Sequence, residues 1–281
     1  MRVRIEHETH YEYDSPIRAL IQILRMTPRA HEGQHVRRWR IEPSIDGQLR
    51  RSEDALGNIV HHFSAESGAE ALTLRVTGEV ETFDTNGIVK GAVTRAPDLY
   101  FLRDTLLTET DEALRAFAAE VAQYDRNDVL GTLHRLMNAI NSEVAFDTQP
   151  TLVSTTAHEA FAMRKGVCQD LSHIFIGCAR SLGIPARYVS GYFVRIDGVT
   201  DQDAGHAWAE AKVPGLGWVG FDPANGISTT DAHVRIAIGL DYLGAAPIRG
   251  SRWGGGGESM AVKLVVEDAD GAVQSQRQSQ D

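Results

Sequence analysis

The sequence predicts an α+β protein, with an all-β module at the N-terminus and then a core where clustered helices give way to antiparallel strands. Three observations lead there. Apolar and polar residues alternate through much of the first 83 residues, the period of a half-buried strand. From Thr110 to Leu182 apolar residues recur at spacings of three and four, the period of a helix. From Arg187 onward the period returns to two. The boundaries that follow are residues 1–83 for the β module, 84–108 for a connecting segment, 109–245 for the core, and 246–281 for a glycine-rich loop, a final strand and a tail. With 281 residues and 42% hydrophobic content, the chain can bury one large core or two modest ones.

The elements can be justified in order. Val3, Ile5, His7, Thr9, Tyr11 and Tyr13 alternate with charged residues and are closed by Asp14-Ser15-Pro16, a strand and its stop. Leu20–Thr27, His35–Ile41, Ile59–Ser64 and Leu72–Phe83 read as further strands, with turns at Asp46-Gly47 and Gly57-Asn58. Thr110 with Asp111 and Glu112 starts a helix carrying Leu114, Phe117, Ala118 and Val121, and Asp128 starts the next, with Leu133, Leu136, Met137 and Ile140. Thr156-Ala157-His158-Glu159 has the form of a capping box, and its helix is expected to run to Gly166. A fourth helix starts at Cys168 and buries Leu171, Ile174, Phe175, Cys178, Ala179 and Leu182, until Gly183 and Pro185 end it. The strands Arg187–Val194, Gly205–Val213, Trp218–Asp222, Val234–Ile238 and Met260–Glu267 follow. The Gln/Ser-rich tail 274–281 is expected to fray.

Composition excludes several classes of function. A formal net charge of −10 and a pI near 5.6 argue against nucleic-acid binding, which needs a basic face. No run approaches a membrane span, and the charged N-terminus is no signal peptide. The two cysteines lie ten residues apart on one helix, about 15 Å at its rise per residue, too far for a disulfide. Free thiols fit a reducing cytoplasm, and a Cys-rich zinc site is excluded by count. Gly254–Gly257 lacks the Lys-Ser/Thr of a phosphate-binding loop. The histidines of the β module, His61 and His62 among them, show no ligand spacing. No cofactor is expected.

The chemistry concentrates at three positions. Cys168 falls in the first turn of its helix, where free backbone N–H groups and the dipole favour an anion, and the thiolate is the attacking form. The bland reading is a small buried hydrophobe, which suits Cys178. Alternation places His206, Trp208, Glu210 and Lys212 on one face of their strand, and Trp218, Gly220 and Asp222 on one face of the next. If the hairpin turns at Pro214, His206 and Asp222 stand directly opposite; a one-residue slip would separate their faces. A thiol, an imidazole and an orienting carboxylate are the parts of nucleophilic acyl transfer. His173 lies five helical residues from Cys168, about 140° around the axis, and so faces away.

Four blocks carry a resemblance: Gly166-Val167-Cys168-Gln169-Asp170; Leu182-Gly183-Ile184-Pro185-Ala186-Arg187-Tyr188-Val189-Ser190-Gly191-Tyr192; His206-Ala207-Trp208-Ala209-Glu210; and Gly217-Trp218-Val219-Gly220-Phe221-Asp222-Pro223-Ala224-Asn225-Gly226. In this order they closely resemble the bacterial transglutaminase-like family, also described as cysteine proteases. His7–Tyr13 and Leu24–Pro28 resemble that family's N-terminal β module, and His233–Pro247 its C-terminal segment. The resemblance implies a papain-like core with Cys168, His206 and Asp222 as its catalytic triad. It implies acyl transfer through a Cys168 thioester on a carboxamide or peptide bond of a peptide or protein. Hydrolysis is expected over transamidation, because no dedicated amine site is visible. Animal relatives need calcium, yet no Asp/Glu loop of that kind is present. Gln169, Trp208 and Trp218 are expected to line the substrate groove, and no metal ligand, nucleic acid or membrane partner is expected. Two alternatives stand beside this reading. One is a non-catalytic peptide-binding or scaffold module that retains the triad; the other is a metal protein using His61 and His62. Oligomeric state, the natural substrate and any gating by the N-terminal module lie beyond the sequence.

Overall fold

Alternation along the first strand sorts the N-terminal module. In β1 (Arg2–Tyr13) every odd-numbered residue from Val3 is buried, and its even-numbered neighbours are partly or fully exposed. The computed structural model describes residues 1–66, 68–149 and 151–270, so the tail expected to fray lies outside the described residues. The module continues as β2 (Ile17–Thr27), β3 (Gln34–Pro43), β4 (Gln48–Glu53), β5 (Ile59–Ala65) and β6 (Ala71–Thr82). The β4 strand was not foreseen. All six of its residues are exposed, so it has no alternation to read.

The core strands are β7 (Ala186–Phe193), β8 (His206–Val213), β9 (Gly217–Asp222) and β10 (His233–Gly239). Two more strands follow, β11 (Ile248–Gly254) and β12 (Glu258–Asp268), where a glycine-rich loop and one strand were expected. No residue of β11 is fully buried, which explains its missing pattern. Both return to the N-terminal module: β11 pairs with β2, and β12 pairs with β1 from Val3–Asp268 to Tyr13–Glu258. The three larger sheets have these strands in the orders β12-β1-β6-β3, β11-β2-β5-β4 and β9-β8-β7-β10. The first two sandwich Tyr11, Tyr13, Leu24, Phe63, Leu72 and Leu74. Val3 and Ile5 at the other end of β1 belong to the main core with the helices.

Helix starts agree with their sequence signals. Asp111, Asp128 and Thr156 cap α1 (Glu112–Ala122), α2 (Val129–Glu143) and α3 (Ala157–Met163), each accepting from a first-turn N–H. The third helix stops earlier than expected, at Met163. Arg164 takes a left-handed conformation, and Lys165–Gly166 then pairs in parallel with Ala145–Phe146. The next helix, α4 (Cys168–Ser181), is buried on every side from Asp170 to Arg180. It packs against α1, α2 and α3 and against β7 and β8, so its predicted single apolar face understates its burial. Gly183, at φ 77°, closes it. The bonds from Gly183 N–H to Arg180 O and from Ile184 N–H to Ala179 O make a Schellman motif, for which a residue without Cβ is suited.

The segment expected to be a simple connector does more than connect. Ile88–Val89 adds to the edge of β9, and a turn of 3-10 helix at Asp98–Leu102 buries Phe101 completely. Among the described residues no helix is long and apolar enough to cross a membrane.

Candidate active site

The start of α4 is shaped by a glycine and an aspartate. Asp170 reaches back to accept from Val167 N–H at 2.8 Å, and a Cβ on Gly166 would stand 2.7 Å from Cβ of Asp170. Burial pushes the Asp170 carboxyl above its usual range, against the pull of that hydrogen bond. Val167 offers no side-chain cap, which leaves first-turn N–H groups facing outward for another acceptor. Cys168 is partly exposed there, and Cys178 is buried in the core; both are free thiols.

The hairpin brings the imidazole to the sulfur. Its register is two residues off the expected one: Ala209 faces Phe221 and Val213 faces Gly217, so His206 and Asp222 are diagonal rather than opposite. A shift of two preserves parity, so both side chains stay on one face. The tight turn sits at Pro214-Gly215 as expected, with Leu216 N–H bonded to Val213 O, and the loop runs one residue further, to Leu216, before Val213 pairs with Gly217. His206 Nε2–H donates to Asp222 Oδ2 at 2.7 Å. Cys168 lines the same cavity as His206, and its sulfur favours the charged ring; with Nε2 turned to Asp222, Nδ1 is the nitrogen left for it. Burial opposes a charge on His206, but the Asp222 carboxylate and the sulfur outweigh it and push the ring up to about 10.

Asp222 is held from five directions. Besides His206, its Oδ2 accepts from Asn225 Nδ2 at 2.7 Å and His233 Nε2 at 3.2 Å; Oδ1 accepts from the N–H groups of Ala224 and Asn225. Thr230 N–H donates to His233 Nδ1 at 3.1 Å, so the proton of this ring sits on Nε2. Burial works against the charge on Asp222, which is fully buried, yet His206 and His233 hold its carboxyl well below the usual carboxylate range. Burial also lowers His233, keeping it neutral. His233 and Asn225 were not foreseen. Asn225 follows Asp222 by three residues in a turn, where such side chains fold back locally; His233 sits one residue before an alternating run and leaves no comparable sign.

The ligand atoms of His206, Asp222 and His233 lie within 4.8 Å of one another, a spacing that could hold a metal ion. Each of these atoms is engaged by a hydrogen bond with another member of the set, and the His233 tautomer places a proton where a metal would need a lone pair. The donor set fits a proton-linked network. His61 and His62 are neighbours on β5 and so point to opposite faces, and neither joins a potential metal cluster among the described residues.

Other expectations divide. Gln169 lines the cavity beside Cys168, its amide donating to Val153 O at 3.2 Å. Trp208 and Trp218 do not line it. They are 2% and 5% exposed and pack with Phe101, Val189 and Ile238, because the 84–108 segment covers the sheet face on which they stand. Trp208 meets His233 edge-on at 5.2 Å, supporting the network from behind. His173 faces away from Cys168 as expected: its Nε2 accepts from Tyr242 N–H at 3.0 Å, and burial lowers it to about 3.

Cys168 and His206 open onto a cavity of about 900 Å³. Its near side is formed by Val167, Gln169, Tyr188 and Asn225, and its far side by His7, Thr9 and Tyr11 of β1 with Met260 and Val262 of β12. The Tyr188 phenol is held protonated by burial. The cavity thus lies between the core and the N-terminal module.

The transglutaminase-like superfamily core matches residues 115–223, and the bacterial transglutaminase-like N-terminal region matches residues 3–81. The chain belongs to this family. An uncharacterized protein of Mycobacterium leprae is 28% identical over 94% of this chain and 98% of its own length. A second uncharacterized relative, from Mycobacterium bovis, is 27% identical over 89% of this chain and 87% of its own. In structure, the chain is similar to a protein of Cytophaga hutchinsonii described as a "putative cysteine protease", with a TM-score of 0.75, 22% identity, and coverage of 96% of this chain and 92% of that one. That likeness establishes the fold: the papain-like, transglutaminase-like α+β core with its N-terminal β region.

Proposed function

We propose that the protein is a thiol-dependent acyl-transfer enzyme acting on a carboxamide or peptide bond, with Cys168, His206 and Asp222 as its catalytic residues. The observation that carries this reading is a single one: His206, bonded to the Asp222 carboxylate, lines one cavity with Cys168. With the ring charged, the sulfur beside it attacks the carbonyl carbon and forms a tetrahedral adduct. The oxyanion is met by the N–H of Cys168 at the uncapped start of α4. His206 gives its proton to the departing amine, the C–N bond breaks, and a thioester remains on Cys168. The neutral ring then takes a proton from the incoming water, the C–S bond breaks, and acid and thiolate are released. Asp222 holds the ring's orientation and stays ionised throughout.

Water is favoured over an amine as acceptor. Rim residues Phe146 and Ile196 are exposed, so solvent enters the cavity, and transamidation requires water to be kept out. The substrate is a peptide or protein, and two unbridged thiols suit a reducing compartment such as the cytoplasm.

Mass spectrometry of a glutamine-containing peptide, incubated with and without a primary amine, tests the reaction. Peptide fragments or a gain of about 1 Da indicate hydrolysis of a thioester intermediate, and an amine adduct indicates transfer. Conversion that persists in Cys168→Ala, or its absence from the wild-type protein across a broad peptide pool, overturns the proposal.

A further inference from the structure

The cavity is larger than the triad requires, and the other module supplies its far wall. A volume of about 900 Å³ is near the upper end for small-ligand sites, roughly 300–1,000 Å³. The wall is built from two alternate rungs of one ladder, on one face, Thr9 opposite Val262 and Tyr11 opposite Met260. Thr9, His7 and the neighbouring Ser190 already have partners. Thr9 Oγ1 meets His7 Nε2 at 3.2 Å, His7 Nδ1 meets the Tyr192 hydroxyl at 2.9 Å, and Ser190 Oγ donates to Ala245 O at 2.8 Å. Burial lowers His7 to about 4, so this ring is uncharged near neutral pH. What the wall presents to an occupant is therefore largely carbon. Carboxylates appear only on the segment that crosses the mouth, as Asp197, Asp201 and Asp203. The single cation there, Arg195, is paired with Asp197, and Asp201 is anchored where its short strand joins β12.

We infer that the β1–β12 wall is the specificity pocket of the site, receiving a bulky apolar side chain of a peptide substrate beside the attacked carbonyl and disfavouring an acidic one. This rests on the acyl-transfer reading. The pocket is continuous with Cys168, so a chain whose carbonyl reaches the sulfur must lay its neighbouring side chain against Met260, Val262 and Tyr11. An acidic side chain there meets the Asp201 and Asp203 carboxylates at the mouth and finds no lysine or arginine on the wall. The N-terminal module is thereby part of the site and not an appendage to it.

Dipeptidyl chloromethyl ketones test the pocket, because the Cys168 sulfur displaces chloride and is alkylated in a step that mass spectrometry counts. Phe-Phe, Gly-Gly and Glu-Glu probes are compared, each rate divided by that probe's rate with free cysteine. The expected order is Phe-Phe first, by about tenfold or more over Gly-Gly as apolar pockets discriminate, with Glu-Glu slowest. Met260→Asp and Val262→Asp are each expected to bring the Phe-Phe to Gly-Gly ratio toward one. A wild-type ratio near one, a Glu-Glu preference, or a ratio unmoved in both variants overturns the inference. Iodoacetamide and calorimetry separate the two levels. A Cys168 inert to iodoacetamide defeats the acyl-transfer reading alone, and binding of a Phe-Phe amide to Cys168→Ala then reads the pocket without the nucleophile: tight binding relative to a Gly-Gly amide sustains it, equal binding ends it.

Discussion

Two buried carboxylates stand on the same face of the core sheet and live different lives. Glu210 of β8 accepts from Arg187 at 2.6 Å and from Arg235 at 2.7 Å. Arg187 and Glu210 are both fully buried, and the Arg187 guanidinium lies over the Trp218 ring at 3.9 Å. Asp222 of β9 also sits between two basic side chains, but they are histidines, and one of them shares the cavity with Cys168. The first network pairs charges that stay charged and is sealed by aromatic rings. The second pairs a carboxylate with a group that can release its proton, at an edge open to substrate. What separates a structural ion cluster from a candidate catalytic one here is the base chosen and where the network ends, since burial and sheet face are shared.

The largest expected difference between the networks is in what each loss damages. His206→Ala should lower peptide conversion by about 10³-fold or more, and its folded fraction should stay inactive, whatever stability is lost with the ring's pairing to Asp222. Glu210→Ala leaves two buried guanidinium groups without their partner and should cost roughly 3–5 kcal/mol, about 10 °C or more in Tm. The folded fraction of Glu210→Ala should still alkylate at Cys168 at close to the wild-type rate. Calorimetry beside a labelling assay checks both halves.

The next effect is on pH. Asp222 holds His206 at about 10, above the ordinary histidine value near 6.5, so the stability it contributes is complete below about 6.5 and is lost as pH rises through about 10. Glu210 behaves oppositely. Burial alone would raise it, but Arg187 and Arg235 hold it at about 2, so its contribution is present above about 4.5 and is lost as pH falls toward 2. Denaturant titrations should show His206→Gln flattened on the alkaline side and Glu210→Gln flattened on the acid side. A ring titration of His206 by NMR should move from about 10 in the wild type toward the ordinary histidine range in Asp222→Asn.

The smallest effect concerns the second histidine. His233→Phe removes a neutral donor to Asp222 and should lower kcat by about tenfold, the worth of one hydrogen bond to a charged group, with KM little moved. His233→Gln keeps a donor and should recover much of that loss. A purely structural role for His233 would show equal losses in Tm and no recovery.

Much of this was legible because it depends on local pattern. The start of α4 at Cys168, its caps and its glycine stop are written in single residues, and strand parity put His206 and Asp222 on one face even though the register was off by two. Parity survives such a shift; the identity of the opposite residue does not. The misses are tertiary. Trp208 and Trp218 have the same parity as His206, and only the segment carrying Phe101, read as a connector, decides that they are core. Likewise β11 lacks alternation, because none of its residues is fully buried. His233 reaches Asp222 from a strand whose position in the sheet no local signal reveals.

The central claim is that His206, held by Asp222, activates the Cys168 sulfur. Iodoacetamide alkylation of Cys168 near neutral pH, followed by intact-protein mass spectrometry in the wild type and in His206→Ala, tests it most directly. Fast labelling in the wild type that slows markedly in His206→Ala is the expected result. Equal and slow labelling in both would contradict the claim.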